Sequence, residues 1–250
     1  VGPIQSGLCK MLAIGLGNHK GCSAVHEEAP EVFADAIEET VRLILQKAPV
    51  GFGIAILENA YDKTYAVEAV PAEHLVEREK ELVQIAKGNM PYIMLDEADV
   101  IVCGAIGKDI SGAGFDPNIL GRSSVLKQFV LHIPRYQRLV LCDVTPASHG
   151  NGIGVGLFDV ITKKVAEQLD LESMYANAIA CNCLGDASVP CTVDDEETAI
   201  RVALKCCRNI DRDHPRIIRI QNTLHLGEIE VSEALLDAVR ADSRMSLIEN

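Results

Sequence analysis

Residues 99–118 read DVIVCGAIGKDISGAGFDPN, a short apolar strand that runs directly into a loop rich in Gly, Asp and Pro. A similar stretch follows at 138–156, where RLVLC leads into DVTPASHGNGIGVG. Long loops of small residues after buried strands are often functional. Because helical patterns alternate with these strands, we predict parallel strands with helices between them. Active loops are then expected at the carboxyl ends of the strands.

The patterns on either side extend this prediction. Apolar residues recur at helical spacing over 27–46, whereas 52–57 and 64–70 are typical of two strands joined by a turn. Further segments are predicted as a strand at 216–221 and as helices at 71–87, 119–129, 157–169, 172–182, 195–207 and 232–240. We expect an α/β fold of two domains, residues 1–90 and 91–250. The strands should be mostly parallel, with a site in the cleft between the domains.

The composition is that of an ordinary globular chain. Of its 250 residues, 48% are hydrophobic and 24% are charged, which excludes disordered, collagen-like and coiled-coil proteins. The net charge of −13 argues against a nucleic-acid partner, because binding of the phosphate backbone requires a basic surface. No apolar run approaches the ~18 residues that a membrane helix needs, so we expect no membrane partner.

The nine cysteines favour a reducing environment. They are scattered, contain no CxxC motif, and in part lie within apolar runs. We therefore predict buried thiols and a cytoplasmic location. A thiol-rich metal-binding or redox protein is the alternative function.

A glycine-rich segment near the start, GLCKMLAIGLGNHKGCSAVH at residues 7–26, carries the first chemical candidates. It is predicted to form an apolar segment followed by a loop. The segment is not a dinucleotide fingerprint, because the third Gly that should follow Gly15 and Gly17 is replaced by Lys20, and it has no P-loop GK[ST].

Two residues of this segment have candidate roles. Lys10 lies among apolar residues, where a desolvated amine would be nucleophilic enough for covalent attachment of a cofactor. Its alternative role is structural, with a packed stem and an ammonium that reaches water. His26, just before the helix predicted at 27–46, is either a metal ligand or an ordinary helix-start residue.

The segment resembles the cofactor-anchoring stretch of the nickel-pincer lactate racemase family. In that family a Lys is covalently joined to a nickel-pincer nucleotide, and a His sixteen residues later coordinates the nickel; Lys10 and His26 have this spacing. The resemblance continues through FGIAILEN, AVEAVPAEH and ADVIVCGAIGKDISGAGFDPNILGR, to about residue 125. It implies a nickel-pincer nucleotide and nickel as cofactors, held by Lys10 and His26. It also implies that residues 1–90 are the C-terminal portion of the cofactor-binding domain.

The substrate contacts differ from those of the family. At DPNILGR, members that act on lactate carry a Tyr-Gln pair and a Lys, whereas this chain has Leu120, Gly121 and Ser124 at these positions. We expect Lys108 and Arg122 to bind the substrate carboxylate instead. Solvated loop charges are the alternative interpretation of these two cations.

His149, in the loop PASHGNGIGVG, is the predicted acid/base residue within this chain. The surrounding glycines let a ligand approach the backbone, and the N-terminus of the helix predicted after the loop would favour an anion. A turn histidine without a role is the alternative.

The resemblance also implies residues outside this chain. It places the acid/base histidines of the family upstream of the tether Lys, and the chain begins at Val1 without Met. We therefore expect an upstream part of the same polypeptide as a partner. The predicted function is racemisation or epimerisation of a small 2-hydroxy acid, in which the cofactor carries the hydride and a histidine exchanges the hydroxyl proton. A non-catalytic family member that binds a small anion is a further alternative.

Overall fold

The computed structural model describes residues 3–4, 7–29, 31–61, 63–126, 129 and 131–248. The chain divides into two compact units. The first consists of Val1–Pro91, Val125–Val130 and Ile179–Cys183, and the second of Tyr92–Ser124, Leu131–Ala178 and Leu184–Asn250. Each unit has a hydrophobic core of its own.

The first unit packs helices against a two-stranded antiparallel sheet. Its elements are α1 (Leu8–Lys10), a π-helical turn (Met11–Gly15), α2 (Asn18–His26), α3 (Phe33–Lys47), β1 (Phe52–Glu58), β2 (Thr64–Pro71), a 3-10 turn (Ala72–His74) and α4 (Leu75–Gly88). Apolar residues recur every three or four positions in α3 and α4, so one face of each helix is buried. Ile37, Val41 and Leu75 from these faces share one core with Ala55 and Leu57 of β1. The two strands predicted here are confirmed.

The predicted glycine loop is wrong, because residues 8–26 are helical except for a short turn at 16–17. Asn18 has a φ of 54°, and this left-handed residue lies where the π-helical turn gives way to α2. Gly17 and Gly21 allow α2 to pack closely on the preceding turn: a Cβ atom at Gly17 would overlap the carbonyl oxygen of Ala13, and one at Gly21 would lie 3.0 Å from it. His26 consequently ends α2, and the helix predicted from residue 27 begins only at Phe33.

The second unit contains a six-stranded sheet in the order β6-β5-β4-β3-β7-β8, parallel except for β8. Its strands are β3 (Val100–Cys103), β4 (Arg138–Leu141), β5 (Val160–Thr162), β6 (Cys191–Val193), β7 (Ile217–Ile220) and β8 (Glu230–Val231). Its α-helices are α5 (Pro117–Leu120), α6 (Lys163–Gln168), α7 (Leu171–Ala180, of which the last two residues are assigned to the first unit), α8 (Glu196–Lys205) and α9 (Leu236–Ala241). The mostly parallel sheet with helices confirms the α/β prediction.

Burial explains the position of β3 inside this sheet. All four of its residues are buried, because β4 and β7 flank it and Ala199 and Ala203 of α8 belong to the core that it helps to form. Such continuous apolar runs are typical of parallel strands covered on both faces. Among the described residues, no helix combines the length and the apolar character needed to cross a membrane.

Two helix predictions in the second unit are wrong. The helix predicted at 119–129 is only the short α5, which ends at Gly121 in a left-handed conformation with a φ of 65°, and the described residues 121–126 are irregular. The helix predicted at 157–169 is replaced by a 3-10 turn, β5 and then α6. Apolar runs this short do not distinguish strand from helix by periodicity.

Candidate functional site

Lys10 lies where α geometry changes to the π-helical turn, a distortion that is frequent at functional sites. Its side chain is exposed, because helical spacing directs Cys9 and Ala13 inward and Lys10 outward. The desolvated amine expected from its apolar neighbours is therefore a wrong prediction. Lys10 instead lines an open cavity of about 470 Å³. The other residues that line the cavity are Gly7, Leu8, Met11, Ile14, Gly15, Ile54, Ala55, Ile56, Leu57, Glu79, Leu82, Val83 and Ala86.

His26 is held by a hydrogen bond within α2. Its Nδ1 atom lies 2.7 Å from the carbonyl oxygen of Cys22 and 3.5 Å from the Cys22 Sγ atom, and its ring packs edge-on against Phe33 at 5.1 Å between centroids. A carbonyl oxygen can only accept, so Nδ1 is the donor in this bond, and Nε2 is the ring nitrogen that could bind a metal. None of the described residues makes a hydrogen bond with Nε2 of His26.

Cys22 links the surroundings of Lys10 and His26. Burial raises the pKa of the Cys22 thiol, Cys181 raises it further, and the Lys10 ammonium acts in the opposite direction. The same thiol contacts the His26 ring. Cys22 therefore interacts with both residues, but His26 is not among the residues that line the cavity bordered by Lys10.

The cysteines do not form a metal cluster in the described part of the chain, where no group of three or more His, Cys, Asp or Glu side chains could hold a metal ion. Four of the nine cysteines are buried, three are half-buried, and Cys191 and Cys206 are exposed, so the prediction of buried thiols holds only in part. Burial raises the pKa of the Cys103 thiol to about 12, which keeps it protonated at neutral pH.

The loops that follow β3 and β4 meet at the carboxyl edge of the sheet, as its topology predicts. The backbone N–H of Lys108 donates to Ser148 Oγ at 2.8 Å, and the Thr145 hydroxyl donates to the Asp109 carboxylate. Gly107 lies beneath these groups, and a Cβ atom there would overlap Thr145 Oγ1. The cluster of hydroxyl and carboxylate groups at this edge was not predicted from the sequence.

Lys108 and His149 both belong to this edge. The Lys108 ammonium donates to the carbonyl oxygen of Gly112 at 2.6 Å and to Asn177 Oδ1 at 2.8 Å. His149 is exposed and adopts a left-handed φ of 48°, directly after Ser148. No helix begins where one was predicted after the His149 loop, because the chain enters a 3-10 turn and then β5. The expected helix N-terminus behind His149 is therefore wrong, whereas its acid/base role stays a prediction.

Arg122 lies at the opposite edge of the same sheet. Its guanidinium pairs with Asp159 at 2.7 Å and lies over the Tyr136 ring, 5.3 Å from the centroid. Asp159 immediately precedes β5 and Tyr136 precedes β4, so this cluster is at the amino ends of the strands. The structure does not bring Arg122 together with Lys108 and His149. A substrate carboxylate at Arg122 would compete with Asp159, and this binding role stays a prediction.

Glu79 is the residue near Lys10 that was missed from the sequence. It lies on α4, is only 3% exposed, and lines the cavity that Lys10 borders. The sequence indicates the burial of Glu79 through the helical spacing of Leu75, Leu82 and Val83, which places Glu79 on the apolar face of α4.

Comparisons with known proteins assign no family to this chain. No protein family, curated protein or solved structure matches the chain.

Proposed function

We propose that this chain is the cofactor-holding part of a nickel-dependent isomerase that inverts the hydroxyl-bearing carbon of a 2-hydroxy acid. The observation that carries the proposal is the His26 ring, in which the bond from Nδ1 to the carbonyl oxygen of Cys22 leaves the Nε2 lone pair for a metal. Histidine ligands in metal sites commonly donate their other ring N–H to a backbone carbonyl in this way.

The residues of the first unit fit a nickel-pincer nucleotide. Lys10 offers an exposed amine beside an apolar cavity, and His26, in the same unit, offers an imidazole nitrogen as a metal ligand. When bound, such a nucleotide supplies the capacity to accept and return a hydride. The part of this chain is to tether the nucleotide through Lys10 and to orient the metal through His26.

Residues of the second unit are proposed to handle the substrate. The Lys108 ammonium now donates to a carbonyl and an amide oxygen, and a substrate carboxylate would offer it a stronger, charged acceptor. A chain with a net charge of −13 needs such a local cation to hold an anion. His149, exposed near Lys108, is proposed to exchange the hydroxyl proton, because histidine is the side chain that most often acts as a general acid or base.

The test is production of the chain in cells that also synthesise the nickel-pincer nucleotide. The expected result is a covalent adduct in the intact mass together with bound nickel. Chiral chromatography of a panel of 2-hydroxy acids, mixed with the loaded protein, then measures interconversion of the enantiomers. A chain that acquires neither adduct nor nickel would overturn the proposal. Binding of a 2-hydroxy acid without interconversion would show that His149 does not suffice as the acid/base residue, and the same result with the upstream part of the polypeptide present would support the non-catalytic alternative.

A further inference from the structure

Glu79 places a buried carboxylate in the cavity beside β1. Its Oε2 atom accepts the backbone N–H of Cys9 at 2.6 Å, and the Cys9 thiol also interacts with this carboxylate, whereas the buried Oε1 atom has no hydrogen-bond partner. Gly7 covers the carboxylate so closely that a Cβ atom there would lie 2.8 Å from the Glu79 carboxyl carbon. A buried polar atom without a partner costs free energy, so this oxygen is an unsatisfied acceptor within the unit.

The neighbouring cations of α4 are engaged with other carboxylates. Lys80 pairs with Glu38 at 3.1 Å and with Glu77 at 3.3 Å. Arg78 pairs with Glu68 at 2.7 Å and also with Glu81. No ion pair joins Glu79 to any residue that the structure describes. Lys10 borders the same cavity, but its side chain is exposed and no ion pair with Glu79 is formed. Because a buried acceptor without a partner is costly, the cavity favours an incoming strong hydrogen-bond donor.

The walls of the cavity favour an apolar ligand body. Leu8, Ile14 and Val83 contribute to them, and at the rim Ile54 and Ile56 are 56% and 64% exposed. Exposed apolar surface of this kind is stabilised when a ligand removes it from water. The volume of about 470 Å³ is in the range of small-molecule sites.

We propose that this cavity binds a small ligand with a flat apolar body and a cationic, N–H-donating end, which Glu79 Oε1 receives. The proposal goes beyond the isomerase function, because it concerns the chain without any group attached to Lys10. The complementarity is between one buried carboxylate and one cation, with apolar contacts around them.

The probe for this site is p-aminobenzamidine, an aromatic amidinium whose fluorescence increases in apolar surroundings. The chain contains no Trp, so its own emission is weak. Titration of the cofactor-free 250-residue chain should give saturable binding. The neutral p-aminobenzamide should compete for the site at least about tenfold more weakly, because it lacks the charge-assisted contact with Glu79.

The decisive variant is Glu79→Gln, which keeps an acceptor for Cys9 but removes the charge. It should weaken amidine binding at least about tenfold and abolish the preference over the amide. The matched control is Glu81→Gln, which removes an exposed carboxylate from the same helix and should leave binding unchanged.

A second variant keeps the proposal testable if Glu79→Gln does not fold by circular dichroism. Ala86→Phe fills the cavity without changing its charge and should abolish binding. The proposal is overturned if the unmodified chain shows no saturable binding, or if it binds the amidine and the amide equally. Binding that persists in folded Glu79→Gln or in Ala86→Phe would overturn it as well.

Discussion

The Nδ1 atom of His26 lies 2.7 Å from the carbonyl oxygen of Cys22, one helical turn earlier in α2. The bond fixes the orientation of the imidazole relative to the helix. Edge-on packing against Phe33 restricts the ring further. A nitrogen oriented in advance loses less entropy when it binds a metal.

His26→Ala should remove most of the bound nickel from protein produced with the cofactor. The loss in affinity should be at least about tenfold, since even outer-shell partners of metal ligands contribute this much. The measurement is nickel per chain by elemental analysis, with circular dichroism to verify the fold. His74→Ala, an exposed histidine of the same unit, is the matched control and should retain nickel. Unchanged nickel in His26→Ala would refute the ligand assignment.

Lys10→Ala should prevent covalent attachment of the cofactor, because none of the other described residues that line the cavity carries an amine. Intact-mass spectrometry of the produced protein measures the adduct directly. Lys20→Ala removes an exposed amine from α2 and serves as the control that keeps the adduct. An adduct of the same mass on Lys10→Ala would show that the attachment point is elsewhere.

Arg122→Ala should lower the free energy of unfolding by about 1–3 kcal/mol, because Asp159 and the carbonyl oxygen of Leu157 lose a partner. Urea titration measures this change, with the exposed Arg135→Ala as the control. In an Asp159→Asn background, Arg122→Ala should lower the free energy of unfolding by less, since the ion pair with Asp159 is already absent. Unchanged stability combined with weaker binding of a 2-hydroxy acid would favour the predicted substrate role instead.

Glu196→Gln should make the protein less sensitive to acid. The hydrogen bond from Arg219 is the main cause that lowers the Glu196 pKa, against an opposing effect of burial and with help from the Cys142 thiol. Because the folded pKa is below the usual value near 4.5, the carboxylate stabilises the fold above that pH. This stabilisation is lost as the pH falls through the folded pKa.

Urea titrations at neutral pH and at about pH 3 measure the free energy of unfolding at each pH. The decrease between the two pH values should be smaller for Glu196→Gln than for the unmodified protein. The adjacent Glu197→Gln is the control, because Glu197 is 81% exposed and, among the described residues, its one ion pair is a long contact of 3.5 Å with Arg201. If acidification lowers the free energy of unfolding equally in Glu196→Gln and in the unmodified protein, the prediction is contradicted.

Gly17→Ala should destabilise the first unit by about 1–3 kcal/mol, because the added methyl group overlaps the carbonyl oxygen of Ala13 and forces the helices apart. The control is Gly88→Ala at the end of α4, where an added Cβ atom meets nothing within 4 Å. Thermal unfolding followed by circular dichroism measures both variants. A Gly17→Ala variant as stable as the control would mean that close helix packing is not the reason for this glycine.

The fold was predictable where burial leaves a strong local pattern. β3 and β4 are continuous apolar runs because both faces of these strands are covered, and α3 repeats its apolar residues at helical spacing. β5 and β6 have three residues each, too few for a period to be recognised. The segment at 8–26 is helical although its glycines predict a loop, because these glycines allow the helices to pack closely.

The sequence by itself determined the α/β class, the loops at the carboxyl edge that carry Lys108 and His149, and the spacing of Lys10 and His26. These features depend on residues close together in the chain. Only the tertiary structure decided which charges are already engaged. Arg122 is paired with Asp159, and Glu79 caps the backbone of Cys9, seventy positions away along the chain. Whether a side chain is buried, paired or available depends on which distant element packs against it, and local periodicity carries no information about that partner.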